Sequence, residues 1–363
     1  VKTLVNALRA LPPWTIAAPL LAAAILLATE FGNGWHSVVL IACGVAAGVF
    51  AAVHHAEVVA HRVGEPYGTL VLALAVTAIE VALIVSLMIA GGAEAEGLAR
   101  DTVFAAVMII LNGIIGLCLL LGGLAHREQV FSLDGVSAAL VALASIVIMT
   151  LVFPNFTLTV PGPYFSGSQL LLIAGVSLAV YAAFVFTQTV GHRQFFLQDA
   201  VLAEPAASAA PSNAVTAVSG FLLLVCLIAV VLLAKMLAPD LESAVARMGV
   251  PNAVVGVIIA GIVLLPEGLA ALRAARRNQL QTSLNLALGS ALASIGLTIP
   301  AVSILSLLMH TKLMLGIDAK STILLLLSLF VTTLVLRTGR TIILHGVVLL
   351  VIFAVYLFTT VVP

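Results

Sequence analysis

Two glutamates stand in surroundings that do not suit an ionised group. Glu80 lies within Leu74-Ala75-Val76-Thr77-Ala78-Ile79-Glu80-Val81-Ala82-Leu83-Ile84, and Glu267 follows Leu264-Leu265-Pro266 and precedes Gly268. Neither has a Lys or Arg within one helical turn, and Arg273 falls only at the end of the second apolar run. A charge in hydrocarbon costs at least about 2.5 kcal/mol, so each acid needs a partner, a proton or a bound cation. Two carboxylates match the charge of one divalent cation or of two protons. Hard oxygen ligands suit Ca2+, which takes about six to eight of them. The hydroxyls of Thr77 and Ser290, the amides of Asn112 and Asn285, carbonyls freed at Pro266, and water are the candidates for the remaining ligands. Pro266 deletes a helix hydrogen bond and Gly268 relaxes the next turn, which predicts a break in the helix at the acid. The plainer alternative is that each glutamate is a protonated packing residue bonded to a backbone carbonyl.

The elements that must carry these acids are set by composition. The 363 residues are 63% hydrophobic and 8% charged, with a mean hydropathy of +1.26. Soluble domains carry about 25% charged residues, so this chain cannot cover a water-facing surface. Apolar runs recur at roughly 13–29, 35–55, 67–91, 101–123, 134–153, 167–190, 214–237, 251–272, 281–309, 321–336 and 341–361. Each approaches the ~20 residues that cross a bilayer as a helix, and no two-residue alternation suggests a β-barrel. The expected fold is therefore an all-α polytopic membrane protein of eleven transmembrane helices. Zero formal net charge gives no basic field for nucleic acid, so that partner is excluded, and membrane lipid is the expected surround. Cys43, Cys118 and Cys226 sit singly in apolar runs and read as small packing residues.

Spacing then reveals a repeat. Gly64-Glu65-Pro66 opens the run that holds Glu80, and Gly249-Val250-Pro251 opens the run that holds Glu267. The two runs are five spans apart, an odd number, so they cross the membrane in opposite directions. One lead helix (1–30) followed by two inverted five-helix repeats (31–190 and 214–363) accounts for this pattern, with 191–213 as a cytoplasmic linker. Inverted repeats of this kind are typical of secondary transporters. Ten of the fifteen Lys and Arg residues fall on the side of the N-terminus, which predicts that end to be cytoplasmic and the C-terminus outside.

In the ninth run, Asn285, Gly289 and Ala293, and likewise Leu286, Ser290 and Ser294, are spaced by four. They form a small and polar stripe that serves either helix packing or a ligand shell. Asn112 is the one amide of its run, and a buried amide needs partners. His54, His55, Glu57 and His61 crowd the end of the second run. They suit a proton entry or a pH sensor, since histidine titrates near neutrality. His54, Glu57 and His61 share a helical face that could also hold a transition metal, and an ordinary polar helix end is the plain alternative.

With those residues in view, the chain resembles the calcium/cation antiporter superfamily, most closely its bacterial calcium/proton antiporters. The resemblance runs through His54-His55-Ala56-Glu57, Gly64 to Glu80, Leu264 to Asn278, Leu288-Gly289-Ser290, Leu297-Thr298-Ile299-Pro300 and Thr338-Gly339-Arg340. It implies two signature repeats, Gly64 to Asn112 and Pro251 to Pro300, with Glu80 and Glu267 binding the cation and alternating with protons. Gly289-Ser290 matches the Gly-Ser of the second repeat. Where the first repeat usually has such a pair, four or five residues before Asn112, this chain has Val107-Met108, which leaves fewer oxygen ligands on that side.

The expected function is exchange of cytoplasmic Ca2+ for external protons across a bacterial inner membrane by alternating access. The alternative is Na+ or K+ exchange for protons by the same acids, or a broad-specificity exchanger. No enzyme is expected: His54-His55-Ala56-Glu57 lacks the order and spacing of a zinc-protease HExxH, and there is no intramembrane Asp pair. A channel would favour a ring or filter of ligands over two lone acids on inverted repeats. No cofactor is expected beyond the transported cation and H+.

Overall fold

The computed structural model describes residues 2–27, 35–64, 67–91, 96–196 and 210–362. Glu65 and Pro66 of the first Gly-x-Pro opening, and 197–209 of the expected linker, lie outside the described residues. The chain is helical almost throughout, as its composition requires in a solvent that cannot satisfy backbone polar groups. Among the described residues ten helices are long and apolar enough to span a bilayer, and the shorter apolar helix Pro13–Leu26 covers most of the expected lead span. Many large apolar side chains are exposed, Leu172 at 65% and Ile323 at 67% among them. That is the surface of a multi-pass membrane protein.

The helices gather into two compact units. The first comprises Val1–Ala95 with Ala206–Met248, and the second Glu96–Pro205 with Gly249–Pro363. Each unit thus draws segments from both halves of the sequence.

The first unit contains α1 (Lys2–Ala10), α2 (Pro13–Leu27), α3 (Trp35–Val63), α4 (Tyr67–Gly91) and α9 (Asn213–Met248). The apolar run expected at 214–237 continues as helix to Met248, through Pro239 and a polar tail. Missing side chains let α3 approach its neighbours. A Cβ on Gly48 would lie 2.7 Å from Val230 of α9, and one on Gly44 would lie 3.0 Å from Ile25 of α2. Gly64 ends α3 with φ of 75°, a left-handed turn natural to glycine. Gly249, at the matching place before α10, has φ of 67°. The glycines that begin the two openings therefore share a left-handed backbone conformation.

The second unit contains α5 (Leu98–Met108), α6 (Ile115–His126), α7 (Leu133–Val147), α8 (Gly167–Phe186), α10 (Ala253–Arg276), α11 (Leu280–Met309), α12 (Ala319–Leu336) and α13 (Ile343–Val361). Its helices are not uniformly α. A π-helical stretch, Ile109–Ile114, joins α5 to α6, and the N–H of Ile115 reaches the carbonyl of Ile110. Similar wide turns follow α7 at Ile148–Val152 and α8 at Thr187–Gly191.

Polar ties close both ends of this unit. At one end the short strands β1 (Gln129–Val130) and β2 (Arg340–Thr341) pair antiparallel. The amide of Gln129 donates to the carbonyl of Ala275 at 2.9 Å. At the other end Tyr164 bridges to Met314 and donates its hydroxyl to Glu96 at 2.8 Å. Asn155 donates to the carbonyl of Ile317 at 2.7 Å.

Candidate functional site

Glu80 is carried by a regular helix. α4 has no interior Pro and no other charged residue, and it packs against α3 and α9. Glu80 is 3% exposed, and Thr77, one turn earlier on the same face, is 6% exposed. Ile79, Leu83 and Ile84 are buried around it. A carboxyl so enclosed, on a helix with no basic residue, is suited to holding a proton or a cation rather than a free charge.

Glu267 is carried by α10, which packs on α5, α6 and α11 within the second unit. The predicted break at Pro266 is absent: the helix runs unbroken from Ala253 to Arg276 with Pro266 inside it. Pro266 removes only its own N–H, and packed neighbours hold the remaining turns, as they do for prolines in many membrane helices. The carbonyl of Ile262, four residues before the proline, still lacks an N–H donor in the unbroken helix and remains a ligand candidate. The helix approaches its neighbours through glycine. A Cβ on Gly256 would lie 2.8 Å from the backbone of Asp101 and Thr102, and one on Gly268 would lie 3.1 Å from Ile114. The residue after Glu267 thus rests on the π-helical stretch that contains Asn112.

Asn112 is fully buried. Its Nδ2 donates to Oγ of Ser328 at 2.9 Å and lies 3.4 Å from the carbonyl of Met108. Its Oδ1 is buried without a hydrogen-bond partner among the described residues. An orphaned buried acceptor costs about 1–3 kcal/mol, and π-turns concentrate at functional positions. Both features fit the expectation that Asn112 offers an oxygen to a ligand.

The other oxygen candidates divide. Ser290 is half-buried on α11. Asn285, on the same helix, is occupied on both sides of its amide. It donates to the carbonyl of Phe196 at 2.6 Å and accepts from Gln281 at 3.0 Å. The structure therefore brings Asn112 beside the helix of Glu267, ties Asn285 to Phe196 and Gln281, and places Thr77 with Glu80 in the other unit. Ser328 was not legible as a site residue, because a lone serine in a leucine-rich run reads as small-residue packing.

His54 and His55 are more enclosed than a polar helix end, whereas His61 is exposed. His55 is fully buried, with Nε2 3.1 Å from the carbonyl of Thr15 on α2. The ring of His54 lies against Trp14, with centroids 5.6 Å apart. The transition-metal alternative at His54, Glu57 and His61 is not supported, since no group of three such ligands converges among the described residues. The first and last of these residues are separated by about 10 Å of helix rise, too far for one ion. Glu57 is exposed, on the outer side of α3.

Comparison with known proteins places this geometry. The family described as sodium/calcium exchanger protein matches residues 33–190 and 218–362. A protein of Sinorhizobium fredii described as the ionic transporter y4hA is 49% identical over 357 residues, covering 97% of each chain. The sodium-potassium/proton antiporter ChaA of Escherichia coli is 38% identical over 325 residues, covering 87% of this chain and 86% of its own. Among solved structures, YfkE, described as a Ca2+/H+ antiporter, superposes with a TM-score of 0.75 at 18% identity. That superposition covers 96% of this chain and 99% of YfkE, and at such identity it shows the shared fold alone. The match over most of the chain makes this protein a member of the sodium/calcium exchanger family, within the calcium/cation antiporter superfamily.

Proposed function

We propose that the protein exports a cytoplasmic cation in exchange for protons entering from outside, with Glu80 and Glu267 acting as one coupled pair. The observation that carries this reading is Glu80 itself, a carboxyl 3% exposed on a helix that offers no other charge. Two carboxylates resist ionising together and gain from doing so when a cation arrives, so protons and cation exclude one another. The bonds made and broken in the cycle are the O–H bonds of the two carboxyls, as protons leave when the cation binds and return when it departs. Alternating access opens the loaded pair to one side of a bacterial cytoplasmic membrane and then to the other. The excess of Lys and Arg sets the N-terminus inside and the C-terminus outside.

Ca2+ is the cation that two carboxylates and neutral oxygens suit best. Thr77, Asn112 and Ser290 supply such oxygens in this reading. Asn285 is a weaker candidate, because its amide is already bonded on both sides. A second reading, Na+ or K+ exchange by the same pair, is favoured by the relative at 38% identity, a sodium-potassium/proton antiporter. It is also favoured by the apolar Val107 and Met108, both fully buried, one turn before Asn112. The test is reconstitution in vesicles bearing a pH gradient, with Ca2+, Na+ and K+ added in turn. Discharge by Ca2+ supports the first reading, and discharge by Na+ or K+ alone supports the second. No discharge by any of the three contradicts both.

A further inference from the structure

We infer that Ser328, on α12 and outside both signature repeats, is a positioning residue that aims the amide oxygen of Asn112 at the cation. The inference deepens the reading in which Asn112 is a ligand, and it rests on that reading. A serine hydroxyl has one proton and two lone pairs. The hydroxyl of Ser328 gives its proton to the carbonyl of Leu324 at 2.7 Å, within its own helix. Its lone pairs remain for Asn112, whose Nδ2 approaches at 2.9 Å. An amide turned the other way would set Oδ1 against those lone pairs, acceptor on acceptor. The committed proton therefore selects the orientation of the asparagine side chain.

The rest of the pocket reinforces that choice. The second Nδ2 hydrogen is left with Met108, whose carbonyl lies 3.4 Å away and whose sulfur lies 3.8 Å away. The sulfur of Met108 also lies 3.5 Å from the hydroxyl of Ser328, longer than the bond to Leu324. Both donor positions of the amide are thus engaged on one side, and Oδ1 is the atom left without a partner. Asn112 and Ser328 are both fully buried, so water does not compete freely for this bond. The π-helical turn at Ile109–Ile114 sets where the asparagine projects, and Ser328 sets which end of its amide faces outward from that bond. Preorganisation of this kind lowers the free energy needed to order a ligand when the ion binds.

The test uses full-length protein in proteoliposomes with a pH gradient, and whichever of Ca2+, Na+ and K+ discharges it. Ser328→Ala should raise the half-saturating cation concentration roughly tenfold, the effect of one well-aligned hydrogen bond. The maximal rate should change little. Ser328→Thr, which keeps the hydroxyl, should restore much of the affinity. Asn112→Ala should raise the same concentration at least as far, and adding Ser328→Ala to it should change nothing more, since the serine then has no amide to orient. Independent additive effects of the two substitutions would overturn the positioning role. So would an Ala variant that melts earlier in detergent but keeps its cation affinity. If Asn112→Ala leaves the affinity unchanged, the reading of Asn112 as a ligand fails and the inference falls with it. If only Ser328→Ala is silent, the inference fails alone.

Discussion

α4 and α10 carry the same chemical group in different settings. Glu80 sits in a uniform helix of the first unit, whose described helices contain no π-turn. Glu267 belongs to the second unit, where three helices pass into π-helical turns and buried polar groups are plentiful. Thr298, Ser303 and Thr332 are fully buried there, each with a hydroxyl lacking a hydrogen-bond partner among the described residues. The carboxylates are matched between the repeats, but most of the neutral oxygens are not. In the proposed cycle the first unit contributes chiefly charge, and the second contributes charge together with adjustable ligands. Substitutions should therefore act in an all-or-none way in α4 and by degrees in the second unit.

The largest expected effect is that of Glu80→Gln. It keeps the shape of the side chain and deletes its charge, and Thr77 is the one neutral oxygen candidate beside it. Removing one member of a buried charge pairing costs about 3–5 kcal/mol, which is at least hundredfold in affinity. Exchange in proteoliposomes should cease while the purified protein stays folded and monodisperse. Near-normal transport would make Glu80 a packing residue and remove the charge side of the comparison.

Glu267→Gln should be graded by ion. One remaining carboxylate cannot neutralise a divalent cation but matches a monovalent one. Ca2+-driven discharge of the pH gradient should be lost, and part of any Na+-driven discharge should survive. Equal loss for both ions would show that the two acids contribute alike despite their different settings.

Packing gives a smaller and local contrast within α10. Gly256→Ala forces a Cβ against the backbone of α5 at 2.8 Å and should cost about 1–3 kcal/mol, read as a lower melting temperature in detergent. Gly268→Ala meets only the tip of Ile114 at 3.1 Å, a side chain that can turn aside. It should stay within about 0.5 kcal/mol of the parent. A reversed order would mean that α10 is anchored near Glu267 rather than at its N-terminal half.

The smallest effect lies in the loops of the second unit. Donation to Glu96 raises the phenol pKa of Tyr164 above its ordinary value of 10.0, with lesser contributions from burial and the charge of Glu96. A raised folded-state pKa adds stability that is complete below pH 10 and is lost as the pH climbs through the folded value. Tyr164→Phe should lower thermal stability slightly at neutral pH, by no more than a surface bond contributes. It should also flatten the decline above pH 10, checked by melting curves across that range. An unchanged alkaline decline would place its origin elsewhere.

Much of this was legible in the sequence, for physical reasons. An acid in an apolar run is conspicuous because hydrocarbon makes it costly, so Glu80 and Glu267 stood out. Gly64 and Gly249 stood out because each begins a Gly-x-Pro opening, and the left-handed turn that both adopt came only with the fold. The π-turns were hidden, since one extra residue in a turn leaves a uniformly apolar pattern unchanged. Pro266 misled because a missing N–H is read easily, whereas the packing that holds the helix together is not. The bonds of Asn285 to Phe196 and Gln281, which weaken it as a candidate, were hidden because the sequence does not show which groups an amide meets. The extension of α9 to Met248 was obscured by its polar tail, which reads as a loop.

The central claim is that Glu80 and Glu267 exchange protons for a cation as one unit. Calorimetric titration of the purified protein with Ca2+, in buffers of different ionisation enthalpy, tests it most directly. Where both acids begin protonated, the wild type should release about two protons per Ca2+ bound, because a carboxylate must lose its proton to become a ligand. Glu267→Gln should release fewer and lose most of its Ca2+ affinity. Unchanged affinity together with unchanged proton release in that variant would contradict the account.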